Sequence, residues 1–278
     1  MTPVIVFVPG SNSNSFSFAP LLRELTLRGR HALAVDLPGH GYGATFHPAY
    51  QAPQDPAALS AATAGLAGVT HADNVAHVID VVRKAAGLGP VTLVGHSRGG
   101  VTVTSVANAV PELLHRVVYV SAWCCVENDV QGYAQGPEYA TSALNDTMGV
   151  LAANPAELGA LRMNWRTADP ALLAALRVAV HEDGPESEFL AMLNTLEPDE
   201  GLDAGDDRVD PATWGGLPHT YVRLARDRSL PLALQDRFVR EADALTPDNP
   251  FDVRTLDSTH VGFLIHPGAA ADLFTDLN

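Results

Sequence analysis

The sequence predicts an α/β protein with a mostly parallel sheet of about six strands, flanked by helices and interrupted by a mainly helical lid. Strand-like and helix-like runs alternate along the chain, which is typical of βαβ units in a parallel sheet. A long stretch without strong strands separates the fourth strand from the fifth. Because 278 residues lie near the upper limit for one hydrophobic core, we predict a core of residues 1–125 and 212–278 with a lid of residues 126–211.

The predicted strands are short runs rich in Val, Leu and Ala, as expected for strands buried on both faces. They cover residues 4–8, 31–36, 91–94, 116–120, 219–225 and 252–256.

The predicted core helices are separated from the strands by Gly and Pro breaks. They cover residues 18–28, 71–86, 101–109, 232–242 and the segment after Pro267. In the second helix Val75, Val78, Ile79 and Val82 recur at three- and four-residue intervals, which gives one buried face. An Ala/Pro/Gln-rich stretch that ends near Gly68 is expected to be a long surface loop.

The lid prediction covers short helical pieces, Pro/Gly breaks and acidic loops. Its apolar side chains outnumber those that a solvated loop needs, so we expect most of them to pack within the lid and a minority to face a pocket.

The charge balance excludes several kinds of partner. The formal net charge is −15, and the 17 basic residues form no cluster. Nucleic acids and anionic membranes are bound by Lys/Arg clusters, so we expect neither as a partner. The acidic residues concentrate in stretches such as 197–210, which we interpret as a solvated loop; a calcium-binding loop would need EF-hand spacing, which is missing.

The chain also carries few signs of export or membrane insertion. The first residues lack a basic segment, and their apolar run ends after five residues, so they predict a buried strand. No apolar stretch approaches the roughly 20 residues of a membrane-spanning helix. Cys124 and Cys125 are adjacent and are expected to be reduced. These features favour a cytoplasmic location; they predict no oligomeric state.

One motif points to a catalytic nucleophile. Residues 91–100, VTLVGHSRGG, place Ser97 inside G-x-S-x-G between a β-branched run and a helix-like run. At such a turn the serine adopts a strained backbone, and Gly95 and Gly99 leave room for close packing of strand and helix. We therefore predict that Ser97 is a nucleophile; the alternative is an ordinary serine in a glycine-rich turn.

An activated serine needs a base, and His260 is our prediction for it. In a parallel sheet with this motif the acid and the base follow later strands, in the chain order serine, acid, histidine. His260 follows the last predicted strand. The rivals are His266 and His219, but one starts a helix beside Pro267 and the other begins a strand, which favours capping or packing roles.

The acid that orients this base is predicted to be Asp227, because it directly follows the strand of residues 219–225. Asp257, Glu127 and Asp129 remain alternatives, the first because it is close to His260 in the sequence. Asp227 could also form only a surface ion pair with a neighbouring arginine, which would contribute little.

A tetrahedral oxyanion needs two backbone donors. The N–H groups of Arg98, directly after the serine, and of Ser11, in the turn after the first strand, are the candidates. The polar run after Gly10 could alternatively be a helix-capping loop. We further expect Gly10, Asn12, Trp123 and Cys124 to lie near the substrate pocket.

Together these residues resemble the α/β-hydrolase superfamily, over almost the whole chain. The similar stretches are VIVFVPGSNSNSFSF, HALAVDLPGHG, LVGHSRGG, VVYVSAW, YVRLARDRSLPLALQDRF and THVGFLIHP. Within the superfamily the chain is similar to the branch of plant methyl-ester esterases, hydroxynitrile lyases and bacterial esterases. The resemblance implies the α/β-hydrolase fold, a Ser97–Asp227–His260 triad and an oxyanion hole from the Ser11 and Arg98 amides.

Departures from this branch bear on the chemistry. Such enzymes usually carry His-Gly where this chain has Pro9 and Gly10. The lyases have a threonine at the position of Gly10 and a lysine at that of Val261. Without that cation a cyanide leaving group is not stabilised, so the resemblance favours ester hydrolysis. A carboxylate nucleophile, as in epoxide hydrolases and dehalogenases, is disfavoured by Ser97.

The sequence thus predicts a metal-free, cofactor-free serine esterase that acts through an acyl-enzyme on an ester of a small or medium-sized apolar molecule. A lyase or natural-product tailoring enzyme on the same scaffold would use His260 as acid/base and keep activity after Ser97→Ala. A ligand-binding protein with this fold would bind without turnover.

Overall fold

The computed structural model describes residues 2–277, and its main feature is a single six-stranded parallel sheet. The strands of the chain are β1 (Val4–Val8), β2 (His31–Ala34), β3 (Val91–Ser97), β4 (Leu114–Ala122), β5 (Ala160–Arg162), β6 (Asp199–Gly201), β7 (His219–Leu224) and β8 (Asp252–Leu256). The sheet has the order β2-β1-β3-β4-β7-β8. The predicted fold class and the predicted number of sheet strands are confirmed.

Helices cover both faces of this sheet. The helices of the described residues, those of the insert included, are α1 (Ala19–Leu27), α2 (Pro56–Ala61), α3 (His71–Ala85), α4 (Gly99–Ala109), α5 (Val130–Ala134), α6 (Pro155–Leu158), α7 (Pro170–Val180), α8 (Glu186–Leu193), α9 (Leu232–Leu245), α10 (Gly262–Ile265) and α11 (Gly268–Asp276). None of the helices within residues 2–277 has the length and apolarity needed to cross a membrane.

Alternation along β1 shows how the two faces are divided. Val6 packs in a cluster with Val78 of α3 and Val103 of α4. Its neighbour Phe7 points the other way, into a cluster with Leu21 of α1 and Phe274 of α11. Because successive side chains of a strand point to opposite faces, a strand of apolar residues supports helices on both sides.

Residues 123–218, between β4 and β7, form an insert that carries α5 to α8. Val150, Leu176, Phe189 and Leu193 give it a small core of its own. A short antiparallel pair, β5 with β6, was not predicted. Each strand has three residues, and Asp199–Gly201 lacks the apolar alternation that would signal a strand. The bounds 126–211 for the lid remain a prediction.

The stretch before Gly68 is less exposed than predicted. Its helix α2 packs Leu59 against Ala49 and Tyr50, and all three are buried. The guanidinium of Arg162 in β5 donates to the carbonyl oxygens of Leu59 and Ala62 at 2.8 and 2.6 Å. The surface-loop prediction was therefore wrong in part, because the stretch is a packing partner of the insert.

Candidate active site

Ser97 is the last residue of β3, and Gly99 is the first residue of α4. The φ angle of Ser97 is +53°, in the left-handed region that non-glycine residues rarely adopt. A Cβ at Gly95 would lie 2.8 Å from the Gly100 backbone, and one at Gly99 would lie 2.5 Å from the Val8 carbonyl oxygen. Strand and helix therefore approach too closely for any other residue at these two positions.

His260 and Asp227 are brought together at the same edge of the sheet. The Nδ1 atom of His260 lies 2.6 Å from Oδ2 of Asp227. The other carboxylate oxygen accepts the N–H groups of Ser229 and Leu230 at 2.7 and 2.9 Å. Because both carboxylate oxygens have partners, Asp227 is fixed in a position from which it can orient the imidazole.

Two residues that the sequence analysis did not single out complete this pair. Ser121, at the end of β4, donates its hydroxyl to Oδ2 of Asp227 at 2.6 Å and has a φ of +37°. His96 donates Nε2–H to the His260 carbonyl oxygen at 3.0 Å, and the two rings lie 4.6 Å apart. Burial, followed by the nearby His260, holds the pKa of His96 well below its ordinary value, so the ring stays neutral.

The loop after β1 lies directly against Ser97. A Cβ on Gly10 would come within 2.8 Å of Ser97 Cβ and 3.3 Å of Ser97 Oγ. Ser11 follows on the exposed side of this turn, and within residues 2–277 its N–H donates no hydrogen bond. This backbone donor is therefore available to a ligand beside the serine.

Sequence comparison decides the family. The model of the alpha/beta hydrolase family matches residues 5–273. The chain belongs to this family. No curated protein is similar enough in sequence to be matched to it.

Solved structures show that this alpha/beta hydrolase shares its fold with several enzymes at low identity. The pyrethroid hydrolase from Sphingobium faniae JZ-2 is 19% identical with a TM-score of 0.72, over 99% of this chain and 97% of that one. Polyneuridine aldehyde esterase is 18% identical with a TM-score of 0.70, over 100% and 99%. Tomato methylketone synthase I in complex with 2-tridecanone is 16% identical with a TM-score of 0.65, over 100% and 98%.

In this alpha/beta hydrolase, residues 197–203 of the insert, which we call the strap, hold the two loops that flank Ser97. Oε2 of Glu200 accepts the N–H of Asn12 at 2.7 Å, and Oε1 lies 3.3 Å from the Arg98 guanidinium. Arg98 also donates to the carbonyl oxygens of Gly201 and Asp203 at 2.7 and 2.6 Å. The Glu200 carboxylate thus contacts Asn12, which follows the predicted oxyanion donor Ser11, and the side chain of Arg98, the other predicted donor.

The strap is fixed a second time through Asn12. The side-chain amide of Asn12 donates to the Glu197 carbonyl oxygen at 2.8 Å, and the Glu197 N–H donates to the Asn12 carbonyl oxygen at 2.8 Å. Asn12 has a φ of +55°, which directs its backbone groups toward the strap. Asn12 is buried, so its side chain serves this internal contact.

His40 supplies a positive charge between the two glutamates. Its Nδ1 lies 2.5 Å from Oε2 of Glu197, and its Nε2 lies 3.7 Å from Oε1 of Glu200. Burial alone lowers the pKa of His40, but the two carboxylates outweigh burial and raise it to about 9. Burial alone would raise the pKa of Glu200. Its contacts with His40, with Arg98 and with the Asn12 N–H outweigh burial, and the pKa is lowered.

The interpretation of residues 197–210 as a solvated loop was wrong for the first half. Glu197, Asp199 and Glu200 are 3, 5 and 6% exposed. Asp199 pairs with Arg162 through two hydrogen bonds of 2.7 Å. Only from Leu202 onward is the segment mostly exposed. A buried charge needs partners, and these carboxylates have them in His40, Arg98 and Arg162.

The expected pocket residues differ in their surroundings. Trp123 is 8% exposed, and its ring packs against those of Tyr139 and Phe238 at centroid distances of 5.5 and 5.9 Å. Its backbone N–H donates to the Ser97 carbonyl oxygen. Cys124 is completely buried, and burial raises the pKa of its thiol well above the ordinary value. The Cys124 side chain therefore presents no surface to a pocket, whereas Gly10 borders Ser97.

A small crevice opens beside the strap and is lined by residues that include Gly10, His71, Arg98 and Glu200. Neither Ser97 nor His260 lines it. The crevice thus lies behind the loops that flank the serine and offers no reacting group of the Ser97 site.

Proposed function

We propose that this chain is a serine esterase that cleaves a carboxylic ester of a small or medium-sized apolar molecule through an acyl-enzyme. The observation that carries the proposal is the pairing of His260 with the fully hydrogen-bonded Asp227 at the sheet edge where Ser97 adopts its left-handed conformation. Nucleophile, base and orienting acid are the groups that acyl transfer requires. Membership of the alpha/beta hydrolase family supports it.

In the proposed reaction, Ser97 Oγ attacks the ester carbonyl carbon while His260 accepts the hydroxyl proton at Nε2. The negative charge on the carbonyl oxygen is held by the N–H groups of Ser11 and Arg98. Collapse breaks the C–O bond, and the imidazolium returns the proton to the leaving alcohol. Water then attacks the acyl-enzyme with His260 as base, which releases the acid and restores Ser97.

Within residues 2–277 no hydrogen bond joins Ser97 Oγ to His260, whose Nδ1 is bound to Asp227. Catalytic hydrogen bonds are often long in a ligand-free site and tighten when substrate binds. His96 keeps the two residues adjacent, because it precedes Ser97 in β3 and holds the His260 carbonyl oxygen.

Labelling with a fluorophosphonate, followed by intact-mass measurement, tests the proposal without knowledge of the substrate. The wild type should gain one adduct per chain, and Ser97→Ala should gain none. Ser60→Ala, at an exposed serine of α2, is the matched control and should label like the wild type. Failure of the folded wild type to react would contradict an activated Ser97.

A panel of p-nitrophenyl esters from acetate to octanoate then tests the reaction class. Hydrolysis that disappears in Ser97→Ala supports an esterase, whereas hydrolysis that survives this substitution would contradict an acyl-enzyme on Ser97, and a folded wild type that hydrolyses none of the esters would favour a non-hydrolytic lyase or tailoring role.

A further inference from the structure

Three metal-binding side chains converge where the insert meets the core, away from Ser97. His181 ends α7, Glu188 lies in α8, and His266 lies between α10 and α11. One nitrogen of each histidine and one carboxylate oxygen all lie within 4.8 Å of one another. We propose that His181, Glu188 and His266 form a zinc site that fastens the insert to the segment carrying His260.

The spacing suits a tetrahedral ion. Oε2 of Glu188 lies 3.5 Å from Nε2 of His181 and 2.9 Å from Nε2 of His266. Ligands about 2.0–2.2 Å from a zinc ion stand about 3.3–3.6 Å apart in tetrahedral geometry. One measured distance lies in this range and the other is shorter, while the coordinating nitrogens of the two histidines lie within 4.8 Å of each other. Two imidazoles with one carboxylate favour zinc over Mg²⁺ or Ca²⁺, which prefer oxygen ligands.

The surroundings of His181 direct its Nε2 toward Glu188. Nδ1 of His181 lies 3.4 Å from Oγ1 of Thr259, an outer partner of the kind that orients metal-bound histidines. On the other side of the ring, a Cβ at Gly184 would lie only 1.8 Å from Nε2. Any side chain at position 184 would therefore collide with this ring, and glycine in the turn between α7 and α8 leaves the ring its room.

Access and charge also favour an ion. The His266 side chain is 62% exposed, whereas that of His181 is 2% exposed, so the site has one ligand in solvent and one in the interior. A solvent-facing side leaves room for water as the fourth ligand. The net charge of −15 attracts cations to the chain as a whole.

The position of the site gives the ion a structural consequence. Thr259, which touches His181, directly precedes His260, and the Val261 N–H donates to the Val180 carbonyl oxygen at 3.2 Å. A bound ion would link α7 and α8 to the loop that precedes α11. Because the ion binds only the folded arrangement, it stabilises this junction.

Titration of tag-free, chelator-stripped protein with ZnCl₂ by calorimetry tests the proposal, with metal analysis after dialysis as a second measure. The wild type should bind one zinc ion per chain. His266→Ala, at an exposed side chain that folding does not need, should weaken binding at least about 100-fold, since loss of even an outer partner commonly costs 10–100-fold. His77→Ala, at an exposed histidine of α3, should bind like the wild type.

Two further measurements keep the test specific. Gly184→Ala should weaken zinc binding, because its methyl group covers Nε2 of His181, while circular dichroism shows the fold retained. Zinc at 100 times its Kd should raise the wild-type Tm by about 5 °C or more and leave that of His266→Ala unchanged. Absence of a stoichiometric ion in the wild type, or equal binding by wild type and His266→Ala, would overturn the proposal.

Discussion

The sheet edge and the strap use buried carboxylates in two different ways. At the sheet edge, Asp227 is held by neighbouring backbone N–H groups and one hydroxyl, and it faces one histidine. In the strap, Glu200 reaches two loops that are distant in the sequence, and it shares its charge with His40 and Arg98. In the proposed reaction the first carboxylate orients the catalytic base, and the second holds backbone in place.

This comparison shows that an acidic segment cannot be assigned to the solvent from its charge alone. The carboxylates of Glu197, Asp199 and Glu200 are buried because each pairs with a basic side chain from another part of the chain. Other carboxylates of the same acidic run, such as that of Asp206, are exposed to solvent. Breaking the two kinds of carboxylate separately should give effects of different size and kind.

The largest effect is expected at the sheet edge. Asp227→Asn should lower kcat by about 10⁴-fold, because the amide leaves His260 in the wrong tautomer. Asp257→Asn is the matched control: Asp257 is close to His260 in the sequence, but its side chain is 83% exposed and pairs with Arg226. Ester turnover of the two variants checks this, and a larger loss in Asp257→Asn would assign the acid to that residue.

A smaller effect is expected when the strap loses its carboxylate. Glu200→Ala should lower kcat by up to about 10²-fold with KM little changed, since the loops it holds carry the proposed oxyanion donors, which would act on the transition state. Glu200→Gln keeps an acceptor for the Asn12 N–H and should recover part of the loss. Asp206→Asn, in the exposed half of the acidic run, should behave like the wild type. A change confined to KM would point to substrate contact instead.

The strap should also make stability depend on pH. The pKa of His40 is raised to about 9 from its ordinary 6.5, so its stabilising contribution is complete below pH 6.5 and is lost as the pH rises through about 9. The contribution is on the order of 3 kcal/mol. Urea unfolding at pH 6 and pH 9.5 should show the wild type losing more stability than His40→Gln. Equal losses would mean that the strap does not depend on this charge.

The smallest effect is expected for an exposed ion pair that also joins insert and core. Arg228 donates to both carboxylate oxygens of Glu182 at 2.9 and 3.0 Å, with side chains 52 and 47% exposed. Arg228→Gln should cost between about 0 and 1 kcal/mol, because solvent screens the pair. Thermal unfolding of this variant at low and high salt measures the loss. A loss of several kcal/mol would show that exposed ion pairs stabilise this chain as strongly as buried ones do.

Local patterns were enough to predict three of the candidate site residues. Ser97 stands in a strand–turn–helix pattern, and Asp227 and His260 follow strands, so the parallel sheet alone brings them to one edge. Ser121 could have been suspected from its place at the end of β4, and His96 from its place next to Ser97.

The strap could not be predicted in this way, for a physical reason. Glu200 and Asn12 are separated by 188 residues, and Glu197 and His40 by 157. Neither partner carries a local pattern that names the other, and a buried glutamate looks the same in a sequence as a solvated one. The three-residue strands β5 and β6 were missed because so short a run holds no period.

The closeness of Gly10 to Ser97 has a consequence for how such a chain can diversify. Any side chain at position 10 must overlap the Cβ atom of Ser97 unless the backbone moves. A larger residue at position 10 therefore requires the loop after β1 to move away from β3, so a substitution there would widen the gap between that loop and Ser97.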